Sequence, residues 1–435
     1  MTPARYFLFF CGQVGMMSLA RFFFQWIVDF AAVEKGGAVL FAGTAITGAL
    51  LAFRVFDGIT DPLAGTLSDR WVRLKRKRQH LLWFSLLLPS IGLIFTYMPA
   101  HTMSAGLRWS LALIGMFVFF VGYTFYAIPY WSLVDDYSHG DESRRRILSN
   151  LLGAGLLVAS GIGFVVSPLL VEKFGFLGAA VLFGIAGAAL MVLPIFASPG
   201  DRDEDPELEN ISHGGSLLDG MRAALGDRRF LALLALFGGS QMSFTIMTSA
   251  APFLVMDLLG GERAQVSLVL GPLLAVAIPS FLVVPMVSRK LGWLRGMLCA
   301  SIGLAVVYSL TGFLGASIIV SPIITAALVF SLAGPMIATL LGLEGEGIVD
   351  CANRRGGSKF VGMYWGVFNF IVKILNGLAL FILGVLTDMR SSWGTTAVRS
   401  MSFVAGACLL AGVVMYFVIK PHGKHRGDQP VPGRE

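Results

Sequence analysis

Charge is what this sequence has least of. Only 14% of its 435 residues are Asp, Glu, Lys or Arg, while 56% are hydrophobic and the mean hydropathy is +0.76. A soluble domain carries roughly 25% charged residues. A chain this poor in them cannot cover a water-facing surface, which excludes an ordinary soluble enzyme. Cysteine is scarce too: Cys11, Cys299, Cys351 and Cys408 are scattered, with no CxxC pair or metal-ligand spacing. They read as small apolar fillers rather than as a disulfide framework or a zinc site. The six histidines fall in loops or at helix ends, and no nucleophile–base spacing occurs, so neither enzymatic activity nor a resident cofactor is expected.

Long apolar runs are what the sequence has instead. A bilayer span needs about 20 apolar residues. Runs of that length predict helices over 5–32, 38–65, 80–99, 109–134, 147–171, 176–197, 229–257, 265–287, 296–315, 320–346, 360–386 and 398–419. The first run is too long for a signal-peptide core and lacks a cleavage site, so it reads as a retained helix. The expected architecture is an all-α membrane protein of twelve transmembrane helices in two pseudo-symmetric six-helix bundles. The bundles are 1–197 and 229–419, joined by a polar cytoplasmic linker, 198–228, and followed by a cytoplasmic tail, 420–435. The linker opens on the acidic, Pro-containing "SPGDRDEDPELEN", and its second half, "SLLDGMRAALGDRR", could form an amphipathic surface helix. A weak echo between the halves joins "DPLAGTLSDRWVRLKRKR" to "VPMVSRKLGWLR". Two parallel halves of this kind hold a solute site midway across the bilayer.

The net charge of +7 is a matter of where the bases lie. Twenty-four of the 33 Lys and Arg fall at the N-terminus, in the even-to-odd loops and in the tail. Six fall in the opposite loops and three, Arg21, Arg54 and Lys373, inside the apolar runs. This bias puts both termini in the cytoplasm of a multi-pass plasma-membrane protein, the bacterial inner membrane. The run "RWVRLKRKR" then anchors topology beside anionic headgroups rather than binding nucleic acid.

An ionisable group inside a span costs roughly 2.5 to 3.5 kcal/mol and so requires a partner or a task. The second run, "AFRVFDGITDPLAG", holds Arg54, Asp57 and Asp61. Asp57 and Asp61 share one helix face a turn apart, with Arg54 nearly in line. Two carboxylates so placed repel unless a cation or a proton lies between them. Thr60 adds a hydroxyl, and Pro62, between Gly58 and Gly65, disfavours a regular helix and could free carbonyl oxygens. The alternative is a structural network in which Arg54 neutralises Asp57 and Asp61 caps an interhelical contact. Arg21, in "GMMSLARFFFQWIV", has no acid one turn away in its own helix. A buried guanidinium favours a carboxylate or phosphate ligand, or else an ion pair with Asp29, Glu344 or Glu346.

The segment Gly65-Thr-Leu-Ser-Asp69-Arg70-Trp-Val-Arg73 resembles the loop signature of the major facilitator superfamily, where acid and base latch an inner gate. Within it, "RVFDGITDP", "GYTFYAIPYWSLVDDYSHGDESRRR" and "GIVDCANRRGGSKFVGMYWGVFNFIVKILNGL" resemble the glycoside–pentoside–hexuronide cation symporters, of which melibiose permease is the best-known member. The resemblance implies a cation site at Asp57 and Asp61 with Thr60 and Thr124, taking Na+ or H+. It also implies that Lys373 pairs with the acids when the cation is absent, and that Trp131 offers a stacking surface, unless that ring is an interfacial anchor. It implies a cytoplasmic gate at Gly65, Asp69 and Arg70. The sequence departs from the family where sugar hydroxyls would meet two further acids, since Val14 and Ala127 stand there. Unpaired hydroxyls would cost about 1 to 3 kcal/mol each.

The function expected is therefore cation-coupled symport, by a monomer, of a small organic solute: a sugar, a glycoside or an anionic derivative such as a uronide. Arg21, Trp131 and Lys373 are the candidate solute contacts. The alternatives are a cation-dependent carrier of a lysophospholipid or other amphiphile, suggested by the Phe-rich first helix, and a non-transporting scaffold or sensor.

Overall fold

In hydrocarbon the backbone finds no water, so every spanning segment must satisfy its own amides, and helices do so. The computed structural model describes residues 1–74, 77–198, 222, 224–315, 321–356 and 361–419. Its helices are α1 (Pro3–Ala31), α2 (Gly43–Arg73), α3 (Leu81–Ser85), α4 (Leu88–Tyr97), α5 (Ala105–Ser138), α6 (Glu142–Gly161), α7 (Ser167–Val192), α8 (Arg228–Phe253), α9 (Val266–Ser280), α10 (Val284–Leu291), α11 (Trp293–Thr311), α12 (Pro322–Gly356), α13 (Val361–Asp388), α14 (Arg390–Trp393) and α15 (Thr395–Ile419). The described strands are two two-residue pieces, Glu34–Lys35 against Ala38–Val39.

Ten helical runs are long and apolar enough to cross a membrane. One of them, Glu142–Phe196, has 55 residues and turns at Gly175, whose φ of 69° is left-handed. Helix α2 is not among the ten, because Arg54, Asp57 and Asp61 lower its hydropathy. Several helices outrun the apolar stretches that announce them: α2 continues to Arg73, α5 to Ser138 and α12 to Gly356. Polar residues end an apolar run but not a helix, whose hydrogen bonds continue into water. Pro62 does not break α2 either. Most of the linker 198–228, with its amphipathic stretch, and the tail 420–435 lie outside the described residues.

Two sets of helices meet along a seam. Helices α1, α4, α5, α6 and α7 pack among themselves, as do α8, α9, α11, α12, α13 and α15. Helices α2 and α13 form the longest crossing between the sets, and α1 meets α8 beside it. Small residues permit the approach. A Cβ on Gly43 would stand 2.6 Å from the Gly384 carbonyl oxygen, one on Gly58 would stand 2.6 Å from Phe370, and one on Gly377 would touch Arg54. Close backbone contact of this kind is how helices associate where lipid removes the hydrophobic drive.

The two ends of the seam differ. At the end carrying residues 32–42 and 389–394, contacts cross between the sets. Helix α2 begins at Ala42, which has no side chain to cap it, and Asp388 of α13 does so instead. Its carboxylate accepts from Gly43 N at 2.5 Å, Thr44 N at 2.8 Å and Thr44 Oγ1 at 2.7 Å. Charge and dipole favour this arrangement. Nearby, Arg263 grips buried Asp29 at 2.8 and 3.2 Å, and Ser249 Oγ donates to the Phe24 carbonyl at 2.9 Å. At the opposite end the following ion pairs among the described residues lie within their own sets. Arg78 joins Asp69 and Asp136, while Arg229 and Arg354 join Asp350.

Removing the cap tests whether Asp388 holds that end shut. Asp388→Ala is expected to cost about 0.5–2 kcal/mol. It should also let a maleimide reach a cysteine introduced by Thr47→Cys, at a position fully buried beneath the cap. Unchanged labelling would show that the cap is not a latch.

Candidate coupling site and central cavity

The glycine crossings set α13 against the acidic face of α2 at the level of Lys373. Its Nζ lies 2.6 Å from Asp61 Oδ2 and 3.0 Å from Asp57 Oδ2. Arg54 Nη1 approaches the same Asp57 oxygen at 2.9 Å, and the Thr124 hydroxyl of α5 donates to Asp57 Oδ1. Two carboxylates thus face two cations, and the group is electrically balanced. The sequence reading brought Asp57, Asp61, Arg54, Thr124 and Lys373 together, and they meet here. Thr60 is turned away: its hydroxyl donates to the Asp57 carbonyl at 3.1 Å, a bond within the helix.

The members are not equally enclosed. Asp57 is fully buried, whereas the Asp61 side chain keeps 22% and Lys373 15% of its surface exposed. Arg54 rests its guanidinium over the Phe24 ring at 4.8 Å, an apolar seat that suits a planar cation. Asp61 with Lys373 is therefore the accessible arm, and Asp57 with Arg54 and Thr124 the sheltered one.

A cavity of about 230 Å³ reaches α13 at Val372, the neighbour of Lys373, while Lys373 itself, an expected solute contact, is outside its wall. Helix α8 presents Phe237, Ser240, Gln241 and Phe244 to it, and α12 presents Ile337, Leu340, Leu341 and Glu344. Each quartet is spaced i, i+3, i+4, i+7 and so forms one helix face. From the other set comes Arg21 on α1. Gly163 makes room for its stem, since a Cβ there would stand 2.8 Å from Arg21 Cβ. Gly163 lies in a π-helical turn, Ile162–Val166, that also brings Phe164 beneath the guanidinium, 5.7 Å away, with Phe244 at the same distance. Turns of this type often mark functional sites.

Other expected contacts fall elsewhere. Trp131 is outside the cavity lining, and its indole donates to Gln13 Oε1 at 3.0 Å. Val14 and Ala127 are buried at 5% and 1% exposure, outside the cavity wall as well. Asp69 meets Arg78 at 3.1 Å rather than its neighbour Arg70, which is exposed, and a side chain at Gly65 would meet only Ile128. Of the acids considered as partners for Arg21, Asp29 takes Arg263 and Glu346 takes Ser288 Oγ at 2.7 Å.

Glu344, named from the sequence only as a possible ion-pair partner for Arg21, lines the cavity with it, and the sequence reading gave no role to Gln25 or Ser18. The Gln25 amide and the Ser18 hydroxyl are buried without a partner among the described residues. They flank Arg21 on its own helix face. A polar residue every third or fourth position of an otherwise apolar helix was the available signal.

The group on α2 and α13 can be dissected by charge. Lys373→Met strands a carboxylate, and breaking such a buried pair costs about 3–5 kcal/mol. Adding Asp61→Asn should restore most of the lost melting temperature in detergent-purified protein. Additive losses in the double variant would show that the two side chains are not coupled.

Comparison with known proteins bears on the family and the fold. A family model described as MFS/sugar transport protein matches residues 8–419. YagG of Escherichia coli (strain K12), named for glycoside/cation symport, is 26% identical over 343 residues, covering 76% of this chain and 71% of its own. Among solved structures, the nucleoside transporter NupG superposes with a TM-score of 0.71 at 11% identity, covering 95% of this chain and 99% of that one. An auto-inhibited POT family peptide transporter gives 0.69 at 13% identity, covering 98% and 99%. These likenesses concern the fold.

Proposed function

Since the chain belongs to the MFS/sugar transport protein family, and is thus a multi-pass membrane transporter rather than an enzyme, we propose that it couples a monovalent cation to a small organic solute. The single observation that carries the reading is Lys373 resting on Asp57 and Asp61 from across the seam. A lysine in that position is a resident substitute for a travelling cation. Sodium or a proton arriving at the accessible Asp61 competes with Lys373 for the same oxygens. Once displaced, the lysine no longer ties α13 to α2, and the closed end can part. Arg54 and Thr124 hold Asp57 in place throughout.

The proposal includes twelve spans. The run Glu142–Phe196 supplies two, divided at Gly175, and α2 supplies one despite its charges. Bundles 1–197 and 229–419 rock against each other, with both termini cytoplasmic as the distribution of Lys and Arg requires. On that orientation the latched end is external and the cavity is approached from the cytoplasm of the bacterial cell. Arg21 and the released Lys373 give the solute two positive contacts, which suits a uronide or another organic acid better than a neutral sugar. Each positive charge crossing inward gains about 2.3 kcal/mol per 100 mV. The apolar walls favour a second reading, an amphiphile such as a lysophospholipid. Binding of labelled lysolipid that no short organic acid displaces would select it.

Cation binding is measurable before the solute is known. Purified protein is expected to bind sodium-22, or to take up a proton as pH falls. Asp57→Asn should do neither while keeping the wild-type elution profile. Retention of cation binding in this variant would contradict the coupling site.

A further inference from the structure

Arg21 and Glu344 line the same cavity from opposite sets of helices, one on α1 and one on α12. Neither has an ion pair or hydrogen bond among the described residues. Other charged side chains of the two sets are engaged among themselves. Asp29 holds Arg263, Asp57 and Asp61 hold Arg54 and Lys373, and Asp350 holds Arg229 and Arg354. The rest of the wall is mostly aliphatic and aromatic, with the Gln241 amide between the charges in type. An unpaired charge in such surroundings is costly unless a ligand compensates it.

We infer that the solute of this transporter is a small zwitterion, its carboxylate or phosphate held by Arg21 and its ammonium by Glu344, with a short apolar body between. This rests on the symport reading above and replaces its anionic solute with a zwitterion, because Glu344 shares the wall with Arg21. A buried carboxyl carries its charge only beside a cation; with a ligand ammonium present the two wall groups sum to zero, and that decides among ligand classes. An anion alone would satisfy Arg21 and leave Glu344 without a counter-charge. An amine alone would do the reverse. A neutral sugar would leave both ionic groups without a counter-charge and set its hydroxyls against leucine and phenylalanine. A zwitterion answers both charges and leaves its methylenes for the apolar wall. Phe244 already supports the Arg21 guanidinium at 5.7 Å, fixing the anion end, while Phe281 lines the wall near the base of α9.

The experiment uses the full-length protein in detergent, with melting temperature as the measure of binding. The probes are the ω-amino acids from 4-aminobutanoate to 8-aminooctanoate, each compared with the carboxylic acid and the primary amine of the same length. At least one zwitterion is expected to bind about tenfold or more tightly than both matched partners. Glu344→Gln should lose that margin while gaining affinity for the plain carboxylic acid. Arg21→Gln should shift preference to the amine, with Arg21→Lys as the folded control that keeps the charge. Equal binding of zwitterion and acid, absence of binding by every zwitterion, or an unchanged preference in Glu344→Gln would each overturn the inference. No gradient is needed, so these outcomes bear on the solute alone. Failure of ion coupling would appear in sodium and proton binding instead.

Discussion

One ammonium group shared by two carboxylates holds the centre of this protein together. Lys373 lies on one set of helices and its acids on the other, so an electrostatic contact and a mechanical joint are the same object. A buried ion pair is a poor source of net stability, because desolvation consumes most of what attraction returns. On the proposed coupling, its value is that it can be exchanged: a second cation of similar charge would replace the first at little cost to the acids and at large cost to the joint.

The surroundings of that contact fit such an exchange. Glycines at 43, 58, 377 and 384 bring α2 and α13 close enough for a lysine to reach both acids. The same helix pair carries the Asp388 cap at its far end, so the tie and the latch lie along one crossing. Asp57, enclosed and held by Arg54 and Thr124, is the sheltered half of the group, and Asp61 is its accessible half. Tyr123, whose hydroxyl donates to Met17 Sδ at 3.7 Å, lies within electrostatic reach of both Asp57 and Arg21.

The helical, membrane-spanning character of the chain was legible because apolar length is a one-dimensional property. The ion group was legible for a related reason: an Asp, Arg or Lys amid hydrocarbon is conspicuous, and Asp57 and Asp61 are spaced one turn apart. What the sequence concealed depends on three dimensions. The Asp388 cap joins residues more than three hundred positions apart. Arg78, not the adjacent Arg70, answers Asp69, because the chain folds back after α2. Trp131 turns to Gln13, and Thr60 to its own helix, for reasons of rotamer and neighbour that spacing does not encode. Glu344 lies in a stretch, "GLEGEG", that reads as a helix end until α12 is seen to continue beyond it.

The most direct measurement follows the distance between the two sets at the latched end as the ion site fills. Spin labels introduced by Gly36→Cys and Ser392→Cys, both exposed there, report it through pulsed electron resonance, in protein whose native cysteines have been replaced. Saturating sodium, or protons where sodium has no effect, is expected to shift the distribution to longer distances as Lys373 is displaced, and Asp57→Asn is expected to abolish the response. A distribution indifferent to both ions in the otherwise native protein would contradict the exchange of lysine for a transported cation.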